Sequence, residues 1–224
     1  LIIGTDANAY YMARCYHEAY NKKANLLGKT PMIYTKYTNI LNVIYNDKIW
    51  TEEGFLEAIE DFRKQHPNKK ILLISSNETY AEFISKNKEK IHEQFVHNYP
   101  NIDIINSLIM KETFYKTYEN SVLDFPKTIY YNCSNPTELN VDFTYPVIVK
   151  PSNVIEYNHI NFEGKNKIYK VNSQEELENT VNKIIKHGYK DTLILQEFIP
   201  GDDSYLFDSV VYCNKNGVVT DMTF

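Results

Sequence analysis

Two apolar segments of the chain end in residues whose chemistry suits a nucleotide. The first segment ends at Lys150, and the second begins at Leu193 and runs into the polar stretch 196–203. A lysine at the end of a strand, held by the rigid Pro151 that follows it, can act as a point charge on a phosphate. The two segments together therefore place a cation and a strand break in one region of the chain.

The strand break adds a second kind of contact. Pro200 and Gly201 interrupt the strand, which frees backbone groups that can bind the edge of a base. Asp202 and Asp203 supply acceptors for hydroxyl groups. Each feature alone has a simpler interpretation, because a lysine often ends a strand in solvent and Pro-Gly-Asp is common in turns. In combination, Lys150 and the break favour a nucleotide site.

Strands and helices alternate through the first part of the chain. Strands are predicted at residues 1–4, 24–27, 71–75 and 102–105. Helices are predicted after Asp6 or Asn8, after Thr51 and from Asn77. Their predicted core faces comprise Ala9, Ala13, Tyr16 and Tyr20 in the first helix and Phe55, Ile59 and Phe62 in the second. The apolar run 71–75 is typical of a strand covered on both faces. The alternation predicts a parallel α/β layer over residues 1–105.

The pattern changes in residues 106–224. A short helix is predicted near Lys111, and a second one is predicted between Ser173 and Gly188. The second has a capping box at its start and Leu177, Val181 and Ile184 on one face. Strands are predicted at residues 127–131, 147–150, 168–171, 193–198, 205–213 and 218–221. This order predicts an α+β unit.

Composition excludes several classes of protein. The net charge of −5 argues against a nucleic-acid binder that depends on phosphate contacts. Cys15, Cys133 and Cys213 lie far apart with no metal-type spacing, so we expect reduced thiols and a cytoplasmic location. No apolar run reaches the length of about 18 residues that a membrane span needs. The chain opens inside a strand and stops at Phe224 after a hairpin pattern, which suggests a fragment of a longer protein.

Residues 106–224 resemble the first part of an ATP-grasp domain, and residues 1–105 resemble the Rossmann-like domain that usually precedes it. The resemblance is to the carboxylate–amine ligases of the D-aspartate ligase type. It rests on the segments 1–10, 17–20, 125–128 and 162–165, on Tyr157, on Lys150, and on the polar stretch 196–203, which we call the hinge. The fold class expected from it is α/β, with a parallel pre-ATP-grasp layer followed by the α+β first part of an ATP-grasp domain.

The resemblance implies roles for six residues. Lys111 and Lys150 would contact phosphate, and Gln196 would face the adenine amino group. The adenine edge would meet backbone groups of Glu197 and Ile199, and the ribose would be held by Asp203. The family's magnesium ligands and its arginine for the acyl phosphate are expected beyond Phe224, so no metal site and no catalytic residue are assigned within the chain.

One segment departs from the common ATP-grasp pattern. Many of these proteins have a glycine-rich flap over the phosphates. Residues 152–167 contain a single glycine, Gly164, so here the flap must act through side chains or differ in shape. The D-aspartate ligase type is also glycine-poor in this segment.

The resemblance implies an ATP-dependent ligase that uses Mg²⁺ and joins a small carboxylate, such as an amino acid, to an amine through an acyl phosphate. The 224 residues alone would hold part of the ATP site and be inactive. Alternatives are an enzyme of the biotin carboxylase or carbamoyl-phosphate synthase type, and a non-catalytic nucleotide-binding module. A dehydrogenase is disfavoured because residues 1–10 hold one glycine where a dinucleotide fingerprint needs three.

Overall fold

The computed structural model describes all 224 residues, apart from the side chain of Ile155. The chain forms two compact units. One unit comprises Leu1–Asn106 with Asn214–Asn216, and the other comprises Ser107–Cys213 with Gly217–Phe224. None of the helices in the part of the chain that is described is long and apolar enough to cross a membrane.

A four-stranded parallel sheet forms the centre of the first unit. The elements up to residue 109 are β1 Ile2–Ile3, α1 Ala7–Tyr20, β2 Ala24–Gly28, α2 Ile33–Lys36, β3 Leu41–Tyr45, α3 Glu52–Lys64, β4 Ile71–Leu72, β5 Ile74–Ser75, α4 Glu78–Lys86, β6 Phe95–Val96 and α5 Ile102–Ile109. The strand order is β3-β2-β1-β5, and every pair in it is parallel. β4 pairs separately with β6, also in parallel. The parallel layer predicted from the alternating pattern is confirmed.

Side chains that accept hydrogen bonds fix the starts of three helices in this unit. Asp6 accepts from the amide of Ala9, Thr51 from that of Gly54, and Asn77 from that of Tyr80. Such caps satisfy amides that have no partner within the helix. The predicted core face of α3 is buried at Phe55, Ile59 and Phe62, which pack in one cluster with Ile3 and Leu27 of the sheet.

Three predictions for this unit are wrong. Residues 102–105 are the start of α5 and not a strand. Four residues were too few to reveal the helical spacing that Ile102, Ile105 and Ile109 show together. Tyr16 and Tyr20 are not core residues of α1, because their rings pack against each other and stay exposed.

The third concerns the run 71–75, which is split into β4 and β5. The amides of Ile71 and Leu73 form hydrogen bonds with the segment that contains Phe95–Val96, whereas the amide of Ile74 forms one with the segment that contains β1. Leu72 is 57% exposed, so the run is not covered on both faces. α2, β3 and β6 were not predicted from the sequence.

The second unit is built on an antiparallel sheet. Its elements are α6 Lys111–Tyr118, β7 Thr128–Asn132, β8 Val147–Pro151, α7 Val154–His159, β9 Tyr169–Val171, α8 Gln174–Lys186, β10 Thr192–Glu197, a 3₁₀ turn Asp203–Tyr205, β11 Val210–Cys213 and β12 Val219–Thr223. The strand order in the sheet is β7-β10-β8-β9, and all three pairings are antiparallel. The predicted α+β organisation is confirmed.

Helix α8 covers one face of this sheet. Ser173 caps it by accepting from the amide of Glu176, and the Glu176 carboxylate accepts from the amide of Asn172. Leu177, Val181 and Ile184 are fully buried, as the sequence predicts. They pack against sheet residues that include Val147, Val149, Leu193 and Leu195. Burying each such side chain stabilises the fold by roughly 1.5–3 kcal/mol.

The glycine-poor segment after β8 contains a helix. Asn153 caps α7, which was not predicted, by accepting from the amide of Glu156. Tyr157 is buried, and its hydroxyl donates to the carbonyl of Asn166 (2.8 Å) and lies 2.6 Å from the Tyr169 hydroxyl. The segment is therefore anchored in the core by a side chain and is not a glycine-rich loop.

The strand predicted at 205–213 is wrong in its first half. Asp202 accepts from the amide and the hydroxyl of Ser204 and so starts the 3₁₀ turn. Local bonds of this kind compete with strand pairing. The strand begins only at Val210, and it pairs with β12 across a turn at residues 214–217, where Gly217 has a φ of 74°.

Candidate functional site

The face of the antiparallel sheet opposite α8 carries polar side chains. Side chains alternate between the two faces of a strand, so the register decides which of them are neighbours. Gln196 lies opposite Thr128 on β7 and Ile148 on β8, and Lys150 lies opposite Ile194. Because Ile194 and Gln196 are two residues apart on β10, Lys150, Gln196 and Thr128 share one face.

Lys150 and Gln196 are in direct contact on this face. The Lys150 Nζ donates to the Gln196 Oε1 at 2.8 Å and to the Tyr115 Oη at 3.1 Å. It also lies 5.1 Å from the centre of the Tyr115 ring. Gln196 is buried and Lys150 is half-buried. The lysine is thus held by neutral groups, which leaves its positive charge unneutralised in these contacts.

The other end of the Gln196 amide bonds to Thr128. The Gln196 Nε2 donates to the Thr128 Oγ1 at 2.9 Å, and that hydroxyl donates to the carbonyl of Pro126 at 2.8 Å. A buried amide with both ends bonded is fixed in position, since turning it would leave a donor or an acceptor without a partner.

Tyr115 links the lysine to helix α6. Burial acts to raise the pKa of its hydroxyl, but the hydrogen bond that Lys150 donates to it and the positive charges of Lys150 and Lys111 outweigh it. The net result is a pKa below the ordinary value for tyrosine. Lys111 is the first residue of α6 and acts on the network through its charge, one turn before Tyr115.

The predicted hinge is hydrogen-bonded to Lys127 at its start, at Glu197. At its centre, the backbone of Ile199 is available for hydrogen bonds. The Glu197 amide donates to the Lys127 carbonyl at 2.9 Å, and the Lys127 amide donates to the Glu197 Oε2 at 3.3 Å. A contact from the Glu197 backbone to an adenine would therefore come from its carbonyl. Ile199 is 63% exposed, and its backbone forms no hydrogen bond with the parts of the chain that are described.

A second cation lies over the hinge. The Lys170 Nζ is 3.8 Å from the centre of the Phe198 ring. Lys170 lies opposite Ile148 on β8, so it shares the face of Lys150 and Gln196. Asp203 begins the exposed 3₁₀ turn beyond the hinge, and its carboxylate contacts neither Lys150 nor Gln196 in the described structure.

Tyr115 and Thr128 were missed by the sequence analysis, although both touch predicted site residues. Tyr115 stands four positions after Lys111, a spacing that places both on one helix face, so a signal for it was present. Thr128 had no such signal, because its place beside Gln196 depends on the register between β7 and β10. Sequence pattern alone does not give the register of two strands far apart in the chain.

A cleft of about 370 Å³ opens beside this network. Its lining includes Tyr115, Lys127 and Thr128 together with the loop that joins α6 to β7. Within the described residues, no group of three or more His, Cys, Asp or Glu side chains could hold a metal ion. The arrangement offers a cationic donor that suits a phosphate, an amide acceptor that suits an amino group, and an open backbone at Ile199.

Comparison with solved structures first shows the fold. No family model matches the chain. Its structure is similar to the ADP complex of N5-carboxyaminoimidazole ribonucleotide synthetase, with a TM-score of 0.64 and 13% identity over 98% of this chain and 51% of that one. It is also similar to L-amino acid ligase from Bacillus licheniformis, with a TM-score of 0.58 and 16% identity over 89% of this chain and 44% of that one. These likenesses show the fold, which is that of ATP-grasp ligases, and they confirm the predicted fold class.

Sequence comparison then identifies a relative. The chain is a homologue of D-aspartate ligase from Enterococcus faecium (strain Aus0004), with 34% identity over 211 residues. The match covers 91% of this chain and 50% of the relative, so the chain spans about half the length of the curated relative that it matches.

Proposed function

We propose that the whole protein is an ATP-dependent carboxylate–amine ligase and that its preferred carboxylate is D-aspartate. The single observation that supports this most strongly is the 34% identity to a D-aspartate ligase along nearly the whole chain. In the proposed reaction a carboxylate oxygen attacks the γ-phosphorus of ATP, and ADP leaves. An amine then attacks the acyl phosphate carbon, and phosphate leaves as the amide forms.

The nucleotide is proposed to bind on the polar face of the antiparallel sheet. Lys150 is a half-buried ammonium held only by neutral partners in its hydrogen bonds, so it can turn to a phosphate without breaking an ion pair. Lys111 adds a second charge on the same side of α6. The Gln196 Oε1 would accept from the adenine amino group, with the Glu197 carbonyl and the Ile199 amide along the adenine edge. Asp203 is proposed to bind the ribose.

Magnesium is proposed to bind together with ATP. A divalent cation neutralises phosphate charge, which lysines alone do incompletely. We also propose that residues 1–105 form the pre-ATP-grasp domain and residues 106–224 the N-terminal part of the ATP-grasp domain. A cytoplasmic protein with reduced thiols remains our prediction for its location.

Two alternatives share the same ATP site. A relative of the biotin carboxylase or carbamoyl-phosphate synthase type would use a different carboxylate, and a binding module would hold the nucleotide without turnover. Homology to a D-aspartate ligase favours the amide-forming ligase over both.

A screen of amino acids tests the proposal. The full-length protein is incubated with ATP, Mg²⁺ and hydroxylamine as a general amine, and phosphate and hydroxamate are measured for each amino acid. We expect D-aspartate to give both products in equal amounts and L-aspartate, the matched control, to give much less. Phosphate release that no amino acid increases would contradict a ligase.

A further inference from the structure

We propose that Thr128 is a positioning residue that orients the Gln196 amide and thereby makes the site prefer adenine to a 6-oxopurine. This inference rests on the proposed nucleotide site. It concerns a residue that touches neither phosphate nor base but determines which end of the Gln196 amide faces the base.

The structure fixes the polarity of the amide at its oxygen end. The Lys150 ammonium can only donate hydrogen bonds. The Gln196 atom 2.8 Å from it must therefore be the oxygen. The amide nitrogen then points in the other direction, toward β7.

The polarity is fixed independently at the nitrogen end. The carbonyl of Pro126 can only accept, so the Thr128 hydroxyl proton points to it at 2.8 Å. The Thr128 Oγ1 then has only lone pairs to offer Gln196, whose Nε2 lies 2.9 Å away. A chain of donors therefore runs in one direction from Lys150 through Gln196 and Thr128 to Pro126.

Nucleotide binding would remove one of these two constraints. When Lys150 turns to a phosphate, it leaves the Gln196 oxygen. Tyr115 remains nearby, but a tyrosine hydroxyl both donates and accepts, so it does not set the polarity. Thr128 alone then keeps the amide nitrogen toward β7 and the oxygen toward the ligand.

This orientation distinguishes purines at their C6 group. Adenine carries an amino group there, which donates to the Gln196 oxygen. Hypoxanthine and guanine carry an oxygen there, which would face another oxygen and remain without a donor. Unpaired polar atoms in a buried site cost more than the hydrogen bond itself contributes.

The test compares ATP with ITP, whose base is hypoxanthine, in displacing a fluorescent ATP analogue from the full-length protein. The variants are Thr128→Val, which keeps the shape and removes the acceptor, Thr128→Ala, and Thr128→Ser, which keeps the hydroxyl. We expect the first two to bind ATP more weakly and ITP more tightly, so that the ATP:ITP preference falls about tenfold. The serine variant should keep the wild-type preference. Contacts of the hinge backbone are the same in all four proteins, so a change in the ratio reports on the Gln196 amide.

The possible results are separable. An unchanged ratio in both Thr128→Val and Thr128→Ala, with ATP still bound, would overturn the role of Thr128 and leave the nucleotide site intact. Equal weakening of ATP and ITP would show a structural role only and would also overturn it. If the wild-type protein binds neither nucleotide, the proposed site itself is wrong. Circular dichroism shows whether each variant has folded. If Thr128→Val has not folded, the ATP:ITP preference of Thr128→Ala decides whether Thr128 orients the Gln196 amide.

Discussion

Lys150 contributes positive charge to the polar face of the antiparallel sheet, and its neighbours explain how that charge is kept available. Its partners are an amide oxygen and a phenol, at 2.8 and 3.1 Å. Neither is an anion, so the lysine can move to a phosphate by giving up two hydrogen bonds and no ion pair. A carboxylate at either position would have neutralised it and made that move more costly.

Replacement of Lys150 by alanine should weaken ATP binding and leave adenosine binding nearly unchanged. A hydrogen bond to a charged group contributes roughly 1.5–3 kcal/mol, which corresponds to about tenfold to a hundredfold in affinity. Isothermal titration of the full-length protein with both ligands measures this. Lys190→Ala is the matched control, because Lys190 is exposed and its side chain forms no ion pair with any described residue. Equal losses for ATP and adenosine would show that Lys150 does not contact the phosphates.

Tyr115 should titrate at a lower pH than an ordinary tyrosine. Its burial opposes ionisation, but the hydrogen bond that Lys150 donates to it and the nearby positive charges favour the phenolate and lower the pKa. The difference in absorbance at 295 nm between wild type and Tyr115→Phe should therefore rise with a midpoint below pH 10. Saturating ATP should move that midpoint upward, because Lys150 leaves the phenol. A midpoint above pH 10 without nucleotide would contradict the contact with Lys150.

At the level of single residues, the sequence indicated which side chains could contact a ligand but not which neighbouring side chains fix those side chains in position. Lys150 and Gln196 stood out because one ends an apolar strand and the other begins a hinge. Thr128 became visible only once β7 and β10 were brought together, whereas the spacing of Tyr115 from Lys111 was a signal already present in the sequence. Hydrogen bonds between distant segments follow from register, which a local pattern does not determine.

Helix α8 supports the site from the opposite face of the sheet. Its buried side chains pack against β8 and β10, the strands that carry Lys150 and Gln196. The helix was predicted with its cap, core face and end because all of these signals are local. Loss of the cap should loosen the sheet face without touching the site.

Ser173→Ala should lower the free energy of unfolding by about 1 kcal/mol, because one amide at the start of α8 loses its acceptor. Denaturation by urea, followed by circular dichroism, measures the change. Ser209→Ala is the matched control, since Ser209 is exposed and its side chain makes no hydrogen bond with the described residues. A Ser173 variant as stable as this control would show that the cap does not stabilise the unit.

Elements fixed by distant partners were harder to predict. The apolar run 71–75 changes its pairing partner from β6 to β1 partway along, so it forms two short strands. β3 is an edge strand in which only Leu41 is buried, so it lacks the continuous apolar run of a central strand. Both outcomes depend on which strand lies next to which, whereas the capped helices depend on a few adjacent residues.

At the scale of the whole molecule, each of the two units has its own sheet and core. The parallel sheet of the first unit has a cleft of about 420 Å³ at the carboxyl ends of its strands, where open α/β sheets commonly bind ligands. The turn after β1 contains a single glycine, Gly4. A side chain there would meet the Ser76 Oγ, so this glycine allows close packing of the two segments.

The first unit should therefore bind no dinucleotide. Calorimetric titration of the protein with NAD⁺ should give no saturable heat at millimolar concentration, because backbone amides from a glycine-rich turn are needed to hold the pyrophosphate. Lys29→Ala removes a cation that lines the cleft and should leave the titration unchanged. Saturable binding that this substitution weakens would contradict the prediction.

In the proposed reaction a carboxylate oxygen receives the γ-phosphoryl group of ATP, and an isotope measurement tests this step directly. The full-length protein is given D-aspartate labelled with ¹⁸O in its carboxylates, together with ATP, Mg²⁺ and hydroxylamine. Mass spectrometry of the released phosphate should show one ¹⁸O atom in each molecule, since the carboxylate oxygen leaves with phosphate when the amine attacks. Phosphate that forms without any label would mean that water and not the carboxylate attacks ATP, and the proposed ligase reaction would be wrong.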